Sequence, residues 1–356
     1  MREFITLPTT KLVNFSRCVD IVNRSVMNSE FASSVLIKTI SPEYIELLNL
    51  CEPYVVDMVI ENKTHCMFPP VVIERDVFNK LTHGKDDVRI GMKEDKWYFE
   101  TIGVDVFLRT KLTDLSIYDT DLGIDVSDSD VKEIDAEAFT EFSRAYQLTS
   151  GNAPSEQLAV STGGRIYFRT AGASANFKSP FNLDGVFGNS VINLIAMAVE
   201  TERNLHIAQV SRSVVITGDE LTIKAPLRRN DADTELVKSA EELMIKDEAE
   251  ASLDIQTMMT FLKKINGLGY FSQSVQLTPS KEHVTLKVYS QDLSNSWEYR
   301  FNGHSDVTDV QYIFNLPVLL QFFSIMDNCP KFNWCKVGLK VMTGDNLINL
   351  RRQIRL

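Results

Sequence analysis

A layout recurs along this chain, and it limits the possible folds more than any single motif does. A helical pattern of about 11 to 16 residues is followed by two or three strand-like runs split by turn residues; six such repeats follow one another at roughly 45 to 65 residue intervals. Together they span all 356 residues. The spacing is too short and too rich in strands for parallel βαβ units. Strands joined by tight turns imply antiparallel meanders, each with one helix laid across a face, and therefore an α+β fold.

In the first repeat Leu12, Val13, Phe15, Val19, Ile21, Val22 and Val26 fall at helical spacing, and 34–40, 45–50 and 54–60 read as strands. The second opens at Val71–Leu81 and continues with strands over 87–92, 96–101 and 105–110. In the third, Ala138, Phe139, Phe142 and Ala145 share one face of a helix over 135–147, before strands over 157–161, 165–170 and 175–181. The fourth has a helix over 189–200 and strands over 204–210, 213–217 and 220–225, the last two joined by Gly218-Asp219. The fifth has a helix over 254–265 closed by Asn266-Gly267, then strands over 275–277, 283–290 and 297–302. The sixth runs from a helix over 316–327, with Pro317 in its first turn, to strands over 334–341 and 347–356. The Asp-rich stretch 114–133 and the charged stretch 228–250 read as linkers, which divides the chain into domains at 1–113, 134–227 and 251–356.

With 37 Lys and Arg against 48 Asp and Glu the net charge is −11, which argues against a protein that coats nucleic acid with a uniformly basic surface. Cys18, Cys51, Cys66, Cys329 and Cys335 are scattered, with no C-x-x-C pair, and read as reduced, mostly buried thiols. The N-terminus lacks the apolar core of a signal peptide and no stretch is apolar enough to cross a bilayer, so a cytoplasmic location is expected. No Walker A sequence, G-x-G-x-x-G loop, G-x-S-x-G elbow or H-E-x-x-H pair occurs, so neither a catalytic residue nor a cofactor is expected. Asp128-Ser-Asp130 and Asp231-Ala-Asp233 lack the further ligands of a calcium loop and read as solvated charge, so no metal is expected.

Four local sequences carry a resemblance. Val22-Asn23-Arg24-Ser25-Val26 is similar to a Ser-Arg-Ala-Val run ending the first helix of the bacterial sliding clamp, the beta subunit of the replicative DNA polymerase. Phe314-Asn315-Leu316-Pro317-Val318-Leu319-Leu320 resembles that family's Phe-Asn-x-x-Tyr-Leu-Leu, and Thr162-Gly163-Gly164-Arg165-Ile166 its Thr-Asp-Gly-His-Arg-Leu turn. The C-terminal Gln353-Ile354-Arg355-Leu356 is similar to the family terminus, Met-Pro-x-Arg-Leu. The turn is one residue short and lacks the His, and the terminus lacks the Pro, which fits a distant member from a bacterium or a phage.

The resemblance implies three domains of two βαβββ units each, with antiparallel sheets outside and helices lining a central channel, closed as a head-to-tail homodimer around double-stranded DNA. Contact with phosphates through Lys and Arg would carry no sequence preference. The six helical stretches together carry +3 and the remainder −14 of the net −11, the sign split such a ring requires. Arg17, Arg24, Lys80, Lys263 and Lys264 are the DNA-facing candidates, with Arg144 and Arg203 behind them; each also fits a solvated helix face. DNA polymerase and the clamp loader would dock a short peptide in an apolar pocket formed by Thr162, Gly164, Arg165 and Ile166 with Gln353, Ile354, Arg355 and Leu356. Pro226 and Leu227, in a segment similar to the family's Phe-Pro-x-Tyr-Arg-Arg, would complete it. Ile354 and Leu356 fit equally well as the end of an edge strand filling its own core. Phe107, Leu108 and Ile265 fall where the family's apolar subunit interface lies, and also fit simple domain core.

Two alternatives stay open at this point: a monomeric or non-encircling processivity factor of the same fold, and an unrelated α+β enzyme or viral structural protein.

Overall fold

The computed structural model describes residues 4–26, 34–82, 87–93, 96–101, 104–107, 115–119, 121–149, 158–169, 173–228, 237–238, 249–306, 308, 310–324, 331–335, 338–343 and 346–351. The first repeat is β1 (Phe4–Leu7), α1 (Thr9–Ser25), β2 (Ser34–Ser41), β3 (Tyr44–Cys51) and β4 (Tyr54–Glu61). The second is β5 (Val71–Glu74), α2 (Arg75–Leu81), β6 (Val88–Lys93), β7 (Lys96–Thr101) and β8 (Val104–Phe107). The third is β9 (Lys132–Glu133), α3 (Ala136–Thr149), β10 (Leu158–Thr162), β11 (Arg165–Arg169) and β12 (Ala173–Lys178). The fourth is β13 (Gly185–Gly188), α4 (Asn189–Thr201), β14 (His206–Val210), β15 (Ser213–Thr217) and β16 (Leu221–Pro226). The fifth is β17 (Ala249–Leu253), α5 (Ile255–Gly267), β18 (Phe271–Pro279), β19 (His283–Ser290) and β20 (Ser296–Ser305). The sixth is β21 (Tyr312–Asn315), α6 (Leu316–Ser324), β22 (Lys331–Cys335), β23 (Gly338–Thr343) and β24 (Asn346–Arg351).

Each repeat is therefore βαβββ, and the short strand before each helix pairs with the sheet of its neighbour. β1 pairs with β6 while β5 pairs with β2; β9 pairs with β14 while β13 pairs with β10; β17 pairs with β22 while β21 pairs with β18. Every one of these ladders is antiparallel. The exchange leaves neither repeat of a pair with a complete sheet of its own, and two further antiparallel ladders, β4 with β16 and β12 with β24, join strands of different pairs.

Contacts group the chain into two compact units. Met1–Ala136 with Ser190–Arg228 contains a four-stranded sheet, β1-β6-β7-β8, and an eight-stranded one, β5-β2-β3-β4-β16-β15-β14-β9. Here Leu12, Phe15, Cys18, Val19 and Val22 form the buried stripe of α1, and Phe15 meets Phe78 of α2 edge to face at 5.5 Å. Glu137–Asn189 with Arg229–Leu356 contains one sheet of twelve strands, from β13 through β24 and β17 to β21. Its core includes Phe142 and Tyr146 of α3, which pack with Phe168 and Phe177 at 5.5 to 6.0 Å. It also includes Met258, Leu262 and Ile265 of α5 and Leu319, Phe322 and Phe323 of α6.

Several boundaries differ from the sequence reading. Asn266 and Gly267 do not close α5: both lie within it, Asp254 caps its start by accepting from the Thr257 N–H at 3.1 Å, and the left-handed residue is Gly269, at φ 59°. The run read as one strand over 334–341 is the β22–β23 hairpin, and the helix over 316–327 is described as far as Ser324. The stretch 114–133 is less a solvated linker than a strap. A 3-10 turn, Leu115–Asp119, is followed by Leu122 and Ile124, and with Ile117 and Tyr118 these pack on Leu36, Leu48, Val55 and Val72 of the eight-stranded sheet.

Candidate nucleic-acid and peptide interface

The apolar stripe that seats each helix on its sheet fixes which side chains remain outside. On α1 the exposed positions Thr10, Arg17 and Arg24 recur at seven-residue spacing, two helical turns apart. Arg24 lies in the last turn of α1 and Lys80 in the last turn of α2, where the helix dipole favours a cation. On α5, Gln256, Thr260, Lys263 and Lys264 share the exposed face. All five DNA-facing candidates are thus solvent-exposed helix residues, and Arg144 on α3 and Arg203 after α4 are exposed as well.

They are not equivalent. Arg17 donates from Nη2 to Oε2 of Glu200 on α4 at 3.1 Å. Arg75, at the start of α2, lies 3.9 Å from Asp20 and 3.2 Å from Asp76. Arg24, Lys80, Lys263 and Lys264 make no ion pair or hydrogen bond among the described residues, so their charge is fully available to an anion. The outer positions of α4 (Asn193, Ala196, Glu200) and of α6 (Gln321, Ser324) carry no cation. Counting charges along the sequence cannot distinguish a compensated arginine from a free one, because Arg17 and Glu200 are 183 positions apart.

The 162–166 turn is a two-residue hairpin in which Thr162 faces Arg165 and the intervening Gly163 and Gly164 have φ 58° and 76°, the left-handed pair of a type I′ turn. The loop after β12 holds it: Asp184 accepts from the Gly163 N–H at 3.1 Å, and the Ser179 N–H donates to the Gly164 carbonyl at 2.8 Å. Arg165 is fixed by Asn176, whose Oδ1 accepts from Nε at 2.6 Å. Thr162, Gly164 and Arg165 are partly exposed, while Ile166 is fully buried and belongs to the core beneath the turn. Sequence reasoning missed Asn176, Ser179 and Asp184 as supports; the Asn182-Leu183-Asp184-Gly185 cluster is the available signal.

Gln353, Ile354, Arg355 and Leu356 lie outside the described residues. β24 runs along β12, with Asn346 beside Lys178 at the turn end and Leu350 opposite Ala173 at the far end. Pro226 ends β16 and Leu227 follows it, both half-buried in the other compact unit, with the Leu227 N–H donating to the Arg212 carbonyl.

Phe107 ends β8, the edge of the four-stranded sheet; its side chain and all of Leu108 lie outside the described residues. Ile265 is 4 % exposed and fills the core of its own unit, so it has no surface left to offer a second subunit. The exposed apolar side chains near that helix end are Leu268, at 66 %, and Tyr270, at 70 %, with Trp297 and Tyr299 on β20 also partly exposed. β17 pairs with β20 at 303–305 and the Asp254 N–H donates to the Asn302 carbonyl at 3.0 Å, so among the described residues the 296–301 edge of that strand is unpaired.

Cys18 and Cys51 are buried and Cys66 half-buried, all as free thiols, and burial pushes the Cys18 thiol up to about 12. Among the described residues no group of three or more His, Cys, Asp or Glu side chains could hold a metal, and no helix is long and apolar enough to cross a membrane.

No family model and no curated protein sequence matches the chain. Solved structures do. A structure from Eubacterium rectale assigned as a DNA polymerase III beta subunit aligns with TM-score 0.76 at 11% identity, covering 99% of this chain and 100% of that one. The DNA polymerase III beta subunit of Borrelia burgdorferi, in complex with a natural product, aligns with TM-score 0.75 at 12% identity over the same shares. The Helicobacter pylori beta clamp bound to a DNA ligase peptide gives TM-score 0.73 at 12% identity, again over 99% and 100%. Through six βαβββ repeats joined by exchanged strands, and over nearly its whole length, this chain has the fold of the DNA polymerase III beta subunits, the sliding clamps.

Proposed function

We propose that the chain is a DNA sliding clamp: a non-enzymatic processivity factor that encircles duplex DNA without reading its sequence and tethers a polymerase through a peptide-binding pocket. The full-length likeness to beta clamps is the observation that carries this reading. It is supported by four cations, Arg24, Lys80, Lys263 and Lys264, that are uncompensated among the described residues and lie on exposed helix faces of a chain whose net charge is −11. A phosphate lattice would meet those residues, whereas the acidic remainder keeps contact loose and sliding easy.

The three exchanged strand pairs support the division into domains at 1–113, 134–227 and 251–356, because each exchange joins two consecutive repeats. Ring closure as a homodimer would add the β8 edge of one protomer to the 296–301 edge of β20 in its partner, with Leu268 and Tyr270 covered at the junction. Partner peptides, from the polymerase and the clamp loader, would dock beside the 162–166 turn. The H. pylori clamp binds a DNA ligase peptide. A bacterial cytoplasm or a phage-infected cell is the setting this function requires.

The test is retention on circular nicked plasmid against the same plasmid after linearisation. An encircling clamp stays on the circle and runs off the linear ends. Equal retention on both would leave a non-encircling factor, and binding to neither would remove DNA as the partner.

A further inference from the structure

The strap over the eight-stranded sheet covers a buried acid whose Oδ1 has no partner among the described residues. The β-ladders place Lys38 opposite Glu46, Leu48 opposite Asp57, and Thr222 opposite Asp57, so these side chains share the sheet face that Tyr118, Leu122 and Ile124 cover. Asp57 is 8 % exposed, and its Oδ1 is buried with no hydrogen-bond partner among the described residues. A carboxylate in that position is costly in its charged form and much less so when protonated. Burial, and secondarily the charge of Glu46, raise the Asp57 carboxyl to about 7.

The nearest cation on β16 is engaged elsewhere. Lys224, opposite Val55 and hence diagonal to Asp57 across the β4–β16 seam, donates from Nζ to the carbonyl of Leu122 in the strap at 2.8 Å. The strap makes room for it: a Cβ on Gly123, at φ 59°, would lie 2.7 Å from that nitrogen. The other titratable or charged groups on that sheet face are Lys38 on β2, which lies 4.0 Å from Glu46 on β3, and Tyr118 of the strap, while Asp121 and Asp125 of the strap are exposed. Burial raises both Glu46 and Tyr118, and Lys38 pulls Glu46 partly back.

We propose that Lys224 alternates between two acceptors and makes the strap a proton-sensitive closure. With the strap docked, Lys224 holds the Leu122 carbonyl and Asp57 takes one proton from solvent. With the strap lifted, Lys224 turns to an ionised Asp57 and the proton returns to solvent. Docking therefore takes up a proton, is strongest in acid, weakens as pH rises toward about 7, and is flat above it.

Hydrogen exchange on the full chain between pH 5.5 and 8.5, corrected for intrinsic rates, tests this. Protection of 115–124 should rise by about tenfold per pH unit as pH falls below 7, while core strands such as β15 serve as the unchanging reference. Asp57→Asn should keep the strap protected at every pH and abolish the slope. Lys224→Met should reduce protection at pH 6 to the wild-type level at pH 8. A flat wild-type profile, an unaltered slope in Asp57→Asn, or wild-type protection in Lys224→Met would each overturn the proposal.

Discussion

Arg17 on α1 and Glu200 on α4 are held 3.1 Å apart on exposed helix surface, and the pair compensates one of the cations of the proposed DNA-facing set. Both side chains are about half solvent-exposed, so the bond is worth roughly 0–1 kcal/mol to folding, and its larger effect is on the surface potential. Glu200→Gln should leave thermal stability nearly unchanged while lengthening retention on nicked circular DNA. The slope of log affinity against log salt should steepen by about 0.9, one additional phosphate contact. An unaltered slope would mean that Arg17 does not face the duplex.

Among the described residues Arg24 and Lys263 have no such compensation. Arg24→Ala and Lys263→Ala should each weaken retention similarly for any DNA sequence and lower the salt slope by about the same 0.9, with Arg17→Ala having the smaller effect. Retention measured at three or more salt concentrations gives the comparison.

Ile265 and Tyr270 separate folding from the proposed ring assembly. Ile265→Ala should cost about 2–5 kcal/mol, read from denaturant unfolding, because it opens a cavity under α5. Tyr270→Asp, at a side chain 70 % exposed, should leave protomer stability intact and halve the mass seen by light scattering. A dimer mass in Tyr270→Asp would place the subunit contact elsewhere.

Asp57 sets a pH dependence of stability with a definite sign. Its folded value, about 7, lies above the usual carboxylate value, so its stabilising contribution is complete in acid and is lost as pH rises from about 4 to about 7. Asp57→Asn keeps the volume and removes the ionisation. The variant should melt several degrees higher than wild type at pH 8, with the gap closing as pH falls through that window. A constant gap across it would show that the carboxyl ionises freely in the folded protein.

Gly164→Ala should rigidify nothing and strain the 162–166 turn. Its φ of 76° disfavours any side chain, and the new Cβ would lie 3.4 Å from Oδ1 of Asn182. A cost of about 1 kcal/mol is expected, together with weaker capture of a clamp-binding peptide, measured by fluorescence anisotropy.

The chain's own pattern specifies six helices, the strands that follow them and their antiparallel pairing, because side-chain period and turn residues are local properties. The short strands before the helices carry no such signal. Phe4–Leu7, Val71–Glu74, Gly185–Gly188 and Tyr312–Asn315 are four residues each, too short to show a period, and their partners lie in the next or preceding repeat. The β22–β23 hairpin reads as one strand because apolar residues run through it. The strap is hidden by its aspartates, since Ile117, Tyr118, Leu122 and Ile124 become a buried stripe only against a sheet built from distant residues.

The cationic candidates follow the same division. Sequence determined that Arg17, Arg24, Lys80, Lys263 and Lys264 stand on helices with one apolar face, and so that they point to solvent. Tertiary structure alone decided that Arg17 meets Glu200, that Ile265 is core, and that Asp57 lies buried beside a lysine bound to something else. Those outcomes depend on residues brought together across up to 183 positions of chain, where the fold, and no local period, sets the distance.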